Sequence, residues 1–213
     1  MITTITEVCN LALARLGARR ISSYEDDASI EGRACRLQYA TVMSGLLRRH
    51  QWDFATTSAR LSRAATAPLS EYAAAWQLPA DCERIIRLSS GDPVNPILNF
   101  ARRGRMILTG EHEVLELVYV SNAVAVGEWD SLFVEAISLK LAARIAGDVT
   151  KNPALAGECN TEFEGLALPH AQTADACETS SGENFGVAAL VSQSQLVRMR
   201  RRGRWIVPQI PTI

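Results

Sequence analysis

The stretch Trp129-Asp-Ser-Leu-Phe-Val-Glu-Ala-Ile-Ser-Leu-Lys-Leu-Ala-Ala-Arg144 decides the class of this fold. Asp130 or Ser131 can cap a helix whose run Leu132, Phe133, Ala136, Ile137, Leu139, Lys140, Ala143 and Arg144 continues to about Ala146. Gly147 is expected to end it. Just downstream, Asn152 and Pro153 supply an N-cap and a first-position proline, so a fourth helix is expected toward Leu168, broken or kinked at Pro169. Beyond Cys177 the run Glu178-Thr-Ser-Ser-Gly-Glu-Asn184 has linker composition.

Upstream the texture differs. Residues 52–117 carry prolines at 68, 79, 93 and 96 and glycines at 91, 104 and 110, between short β-forming runs such as Arg84-Ile-Ile-Arg-Leu88. This third is expected to be mainly antiparallel strands, with a hairpin over Phe100-Ala-Arg-Arg-Gly-Arg-Met-Ile-Leu-Thr109 turning near Gly104 and a further strand at Val114-Leu-Glu-Leu-Val-Tyr-Val120. Nearer the start, Thr4 and Glu7 stand in capping-box spacing before Ile5, Val8, Cys9, Ala12, Leu13 and Leu16, and Gly17 offers a left-handed stop. A second helix is expected from about Ser29 to His50, with Ala34, Leu37, Ala40 or Thr41, Met43 or Ser44, and Leu47 near one face. The expected class is α+β, mainly α: an antiparallel helical bundle with a β-rich insertion and an extended C-terminal arm. Its spans are 1–51 and 129–177 for the helical body, 52–128 for the insertion, 178–191 for a linker and 192–213 for the arm.

At 213 residues, with 47% apolar and 21% charged side chains, the chain can bury a sizeable core. The formal charge of -1 conceals an asymmetry, because residues 192–213 hold arginines but no acid, leaving the rest acidic. No stretch has the length of charge-poor apolar sequence that a membrane span needs, and the start carries a capped amphipathic pattern in place of a signal peptide, which points to the cytoplasm. Cys9, Cys35, Cys82, Cys159 and Cys177 are odd in number and never in C-x-x-C pairs, so reduced, mostly buried thiols are expected.

Chemical motifs are sparse. His50, His112 and His170 lie far apart and in no ligand spacing, so neither a metal nor any cofactor is expected. Glu111-His112-Glu113 reads as a solvated turn, and Asp26-Asp27 as solvation of the loop before the second helix. Phosphate-loop, dinucleotide and nucleophile-elbow motifs are missing from the sequence, and Cys9 and Cys35 read as core residues. The chain reads as non-catalytic.

The arm is the informative segment: Arg198, Arg200, Arg201, Arg202 and Arg204 precede Trp205-Ile-Val-Pro-Gln-Ile-Pro-Thr-Ile213. Arginines alone suit a phosphate backbone. Trp205, Ile206, Val207, Ile210 and Ile213 add apolar surface that suits a groove or sheet edge, and Pro208 and Pro211 favour an extended form. Protein docking is the leading reading of the arm, with DNA binding the alternative. Arg102, Arg103 and Arg105 at the expected hairpin tip are candidate contact residues.

Four segments in order carry a family resemblance over about residues 3–168. They are Val8-Cys-Asn-Leu-Ala-Leu-Ala-Arg-Leu-Gly17, Leu46-Leu-Arg-Arg-His-Gln-Trp-Asp-Phe-Ala55, Tyr72-Ala-Ala-Ala-Trp-Gln-Leu-Pro-Ala-Asp-Cys-Glu-Arg84 and the opening stretch from Trp129. Their pattern, a leucine-ended helix, W-x-F-A, L-P-x-D, then W-D-x-x-F-x-E-A, resembles the tail tubular protein A, or head-to-tail adaptor, family of short-tailed phages. The resemblance implies a ring, typically of twelve copies, joined to a portal protein above and tail tube or nozzle components below. DNA would pass through its channel, with Arg102, Arg103 and Arg105 as candidate lumen-facing or tail-side contacts. It also implies a place in the virion neck after assembly in host cytoplasm, and, by position, a portal-docking role for residues 192–213. Trp52, Phe54, Trp76, Trp129 and Phe133 are expected in the core where the β segment meets the helices.

Overall fold

The computed structural model describes residues 2–66, 68, 71–91 and 96–179. The arm at 192–213 and most of the expected linker lie outside them. Residues 1–173 form one compact unit and residues 174–213 a second, of which only 174–179, the end of the last helix, are described.

Local signals set the helix ends. At α1 (Ile5–Arg15) the Glu7 amide donates to Thr4 Oγ1 at 3.3 Å, and the Glu7 carboxylate accepts from the Thr4 amide at 3.0 Å, closing the capping box. Gly17 follows at φ 64. Ser29 caps α2 (Ile30–Leu47), and Asp130 caps α3 (Ser131–Thr150), its Oδ1 accepting from Leu132 at 2.7 Å and Phe133 at 3.3 Å. Contrary to expectation, α3 passes through Gly147 and stops at Lys151, φ 55. A glycine inside a helix costs only about 1 kcal/mol, whereas Pro153 drives the residue before it out of helical geometry.

The last helix, α4, starts at Pro153–Glu162 behind the Asn152 cap, widens into a π turn over Phe163–Ala167 and runs on over Leu168–Thr179. Pro169 therefore does not end it. The Leu168 amide donates to Phe163 O, five residues back, and this wider turn stands just ahead of a ring that lacks an N–H and crowds the carbonyl four residues before it.

Among the described residues seven strands build two antiparallel sheets. Sheet A has the order β1 (Thr56–Arg60), β7 (Glu116–Ser121), β4 (Cys82–Ser89). Sheet B has the order β2 (Ser62–Arg63), β3 (Ala74–Gln77), β6 (Met106–Thr109), β5 (Phe100–Arg103). The hairpin and the strands over 84–88 and 116–120 fall where the sequence puts them, and the chain switches between sheets near Leu61, at residues 78–81, between β4 and β5, and at residues 110–115.

A bundle carrying an inserted β segment does not describe this arrangement. Among the described residues the chain is α+β, 48% helical and 19% strand, with four helices and two antiparallel sheets. The reason lies in the cores. α3 packs against α1, α2 and α4, but Trp52, Ala55 and Val120 belong to that same helical core and Ile86 packs on it. Leu117, Tyr119 and Leu88 of sheet A join Trp76 and Ile107 of sheet B in a second core. Alternation along β7 thus serves two cores at once. Sheet A is a shared wall, so the helices lack a closed bundle core of their own.

Along α2, Ala34, Cys35, Val42, Met43, Leu46 and Leu47 are buried, whereas Leu37, expected on the core face, is 71% exposed. The loop before α2 folds back on it: Arg36 donates to Tyr24 O and Asp27 O, both at 2.8 Å, and a Cβ on Gly32 would stand 2.5 Å from Asp27 O. Gly32→Ala is expected to lower the unfolding free energy by about 1–3 kcal/mol through this clash, measured by urea melts. An unchanged midpoint would remove that close approach.

Candidate functional site

The candidate residues Arg198, Arg200, Arg201, Arg202, Arg204, Trp205, Ile206, Val207, Ile210 and Ile213 lie outside the described residues. The hairpin tip is described. β5 and β6 pair Arg103 with Met106 and Arg102 with Ile107, which leaves a two-residue turn led by Gly104 at φ 61. Arg102, Arg103 and Arg105 are all exposed there. Their roles differ, since Arg102 Nε donates to Gly104 O at 3.3 Å and the Arg105 guanidinium donates to Pro79 O. Arg105 is a clamp on the L-P-x-D segment, and Arg103 is the tip cation without a partner among the described residues.

That segment, Leu78-Pro-Ala-Asp81, carries the chain from sheet B to sheet A. The Leu78 amide donates to Arg105 O at 2.9 Å and the Asn122 amide to Asp81 O at 3.0 Å. The Asp81 carboxylate accepts from Ser121 Oγ at 2.5 Å and from the Tyr119 hydroxyl at 3.1 Å. Burial opposes its charge, but the Ser121 and Tyr119 hydroxyls and nearby Arg105 outweigh that and hold its carboxyl below the ordinary 3.8. Burial, reinforced by Asp81, pushes the Tyr119 hydroxyl up to about 12. One residue past Cys82, Glu83 ties sheet A to α2: its carboxylate accepts from Ser44 Oγ and Asn122 Nδ2, both at 2.8 Å, and its carbonyl from Arg48 at 2.7 Å.

The tryptophan motifs converge. Phe133 has its ring centroid 4.9 Å from Trp52, 4.8 Å from Phe54 and 5.3 Å from Trp129, all edge-to-face. Trp76 departs from the expectation: it lies in the second core, its indole N–H donating to Thr109 Oγ1 at 3.0 Å.

Other sequence candidates resolve as structure. Glu111 holds an ion pair with Arg63 at 2.5 Å. Asp27 clips its own loop, its carboxyl held at about 2 by hydrogen bonds from the Ser29 hydroxyl and amide and the Ser22 amide. Asp26 stays exposed. Cys9, Cys35, Cys82 and Cys159 are buried and Cys177 is exposed. The hydrogen bond with Cys35, then burial, push the Cys9 thiol far up, which keeps it protonated and unreactive. Among the described residues no group of three or more His, Cys, Asp and Glu side chains could hold a metal ion, and no helix is long and apolar enough to cross a membrane.

The arrangement brings together groups that clamp sheet to sheet and sheet to helix, and it presents an arginine-bearing hairpin tip. Sequence reading missed Asp81 and Glu83 as clamps, although the L-P-x-D spacing marked the first. Compared with known proteins, the chain matches no family model and no curated sequence.

Asp81→Ala is expected to lower stability at neutral pH by about 1–3 kcal/mol, since two hydroxyl donors lose a partly exposed charged acceptor. A depressed folded pKa contributes stability that is present above 3.8 and is lost as pH falls through the lower folded value. The gap between the variant and the parent should therefore narrow in strong acid. Urea melts at neutral and acid pH measure it, and a gap constant with pH would remove the charge from the account.

Proposed function

We propose that this chain is a structural subunit of a phage head-to-tail adaptor. Copies form a ring beneath the portal protein, attach tail tube or nozzle components below and let genomic DNA pass through the channel. The subunit then belongs to the virion neck, is assembled in host cytoplasm and performs no catalysis. The observation that carries this reading is the order and spacing of the four motif segments from Val8 to Arg144.

Two further features support it. The motif residues act as one assembly, since Arg48, Trp52, Phe54, Asp81, Trp129 and Phe133 all hold helices to sheets or sheet to sheet. A ring subunit in a load path needs such cross-ties more than it needs a cleft for chemistry. The basic, apolar arm at 192–213 suits docking to a portal surface, its arginines pairing with carboxylates and its apolar residues entering a groove.

Native mass spectrometry of the full chain with and without the portal protein tests the reading: a closed ring on the portal is expected. Deletion of residues 192–213 is expected to reduce that binding at least about tenfold, the loss of a few docked side chains. A chain that ignores the portal sinks the proposal. Duplex binding that weakens steeply with salt and is abolished by replacing the five arginines would favour a DNA-binding protein.

A further inference from the structure

A cleft of about 150 Å³ is lined by Thr41 and Gly45 of α2, Arg49 just past its end, Lys140 and Arg144 of α3, and Phe163 of the π turn. Three cations, two from α3 and one from the turn after α2, line it. Arg49 makes a two-pronged pair with Glu164, at 2.6 and 3.0 Å, and Lys140 reaches the same carboxylate at 3.3 Å. The Lys140 ammonium also donates to Asn160 Oδ1 at 2.8 Å and stands 4.7 Å from the Phe163 ring centroid, while the Arg49 guanidinium stands 5.5 Å from it. With a side chain only 20% exposed, Lys140 is a cation drawn well into the protein.

Arg144, one helical turn beyond Lys140, is exposed and makes no hydrogen bond or ion pair among the described residues. Glu164 therefore pairs with two of the three cations and leaves Arg144 unpaired among the described residues. Positive charge that is partly withdrawn from water and not matched within the fold attracts an anion. The opening is kept clear by Gly45, whose added Cβ would meet nothing within 4 Å. At roughly 30 Å³ per water, the volume holds one small oxyanion with a few waters.

We propose that this cleft binds a phosphate group, with Arg144 and Lys140 as its principal donors and Arg49 held ready behind Glu164. Donors arriving from α3 and from the turn after α2 around an aromatic floor suit a tetrahedral oxyanion with several acceptor oxygens better than a planar carboxylate. The proposal is independent of the adaptor reading, since it rests only on the geometry of the cleft.

The test is a titration of the isotope-labelled full chain with inorganic phosphate at low ionic strength, followed by amide NMR, with acetate as the comparison anion. Saturable shifts are expected at Thr41, Gly45 and Phe163. Arg144→Gln is expected to weaken binding about tenfold or more, the effect of one charge-assisted hydrogen bond. Gly45→Gln should block the cleft while improving local helix propensity, so lost binding with an unchanged circular dichroism spectrum supports the site. Glu164→Gln should bind phosphate more tightly yet melt at lower temperature, opposite signs that a purely structural ion pair would not give. Shifts confined to residues 198–204, equal affinity in Arg144→Gln, or acetate binding as tightly as phosphate would each overturn the proposal.

Discussion

The fold turns on the packing of Phe133 against three other rings. Trp52 and Phe54 arrive on the short passage from α2 into sheet A, and Trp129 arrives just ahead of α3, so one side chain fixes where three parts of the chain meet. Edge-to-face pairs are each worth about 0.5–1.5 kcal/mol beyond area burial, and removing a buried phenyl ring costs about 3–5 kcal/mol. The indole N–H groups do not waste this burial: Trp52 donates to Leu46 O at 3.1 Å, satisfying a carbonyl near the end of α2, and Trp129 donates to Val124 O at 3.3 Å.

Sheet A inherits its position from that junction and passes it on. Its β7 strand turns Val120 toward the helices and Leu117 and Tyr119 toward sheet B, so it cannot slip by one residue without exchanging the two cores. The polar clamps sit where the chain enters β4, with Asp81 on the Tyr119 and Ser121 hydroxyls and Glu83 on Ser44 and Asn122. Carboxylates at this point fix register in a way apolar packing alone does not, because each must keep its donors or lose solvation without compensation.

Where a single residue type answers a single local need, the sequence is legible. Thr4, Ser29, Asp130 and Asn152 cap the helices they precede, and Gly104 turns the hairpin, because capping oxygens and a positive φ are short-range requirements. Legibility fails where a distant partner decides. Leu37 looks like a core residue by spacing, yet the buried stripe of α2 runs through Cys35, Val42 and Leu46. Trp76 shares a motif with the junction residues but follows its strand into the second core. The bundle expectation failed for the same reason, since periodicity reports that a face is buried without reporting whether a helix or a sheet covers it.

Pro169 shows how a local rule can be obeyed and still mislead. Its missing N–H and bulky ring are real constraints, and the helix meets them by widening over Phe163–Ala167. Continuing the helix through a wider turn keeps Phe163 fully buried against the core and leaves Glu164 facing Arg49 and Lys140. Termination ahead of the proline would have ended the helix at the residues that close one side of the cationic cleft. The wide turn thus joins a backbone accommodation to an electrostatic one: the carboxylate that partly neutralises the cleft is carried by the turn that stands before the proline, while Arg144 forms no ion pair among the described residues.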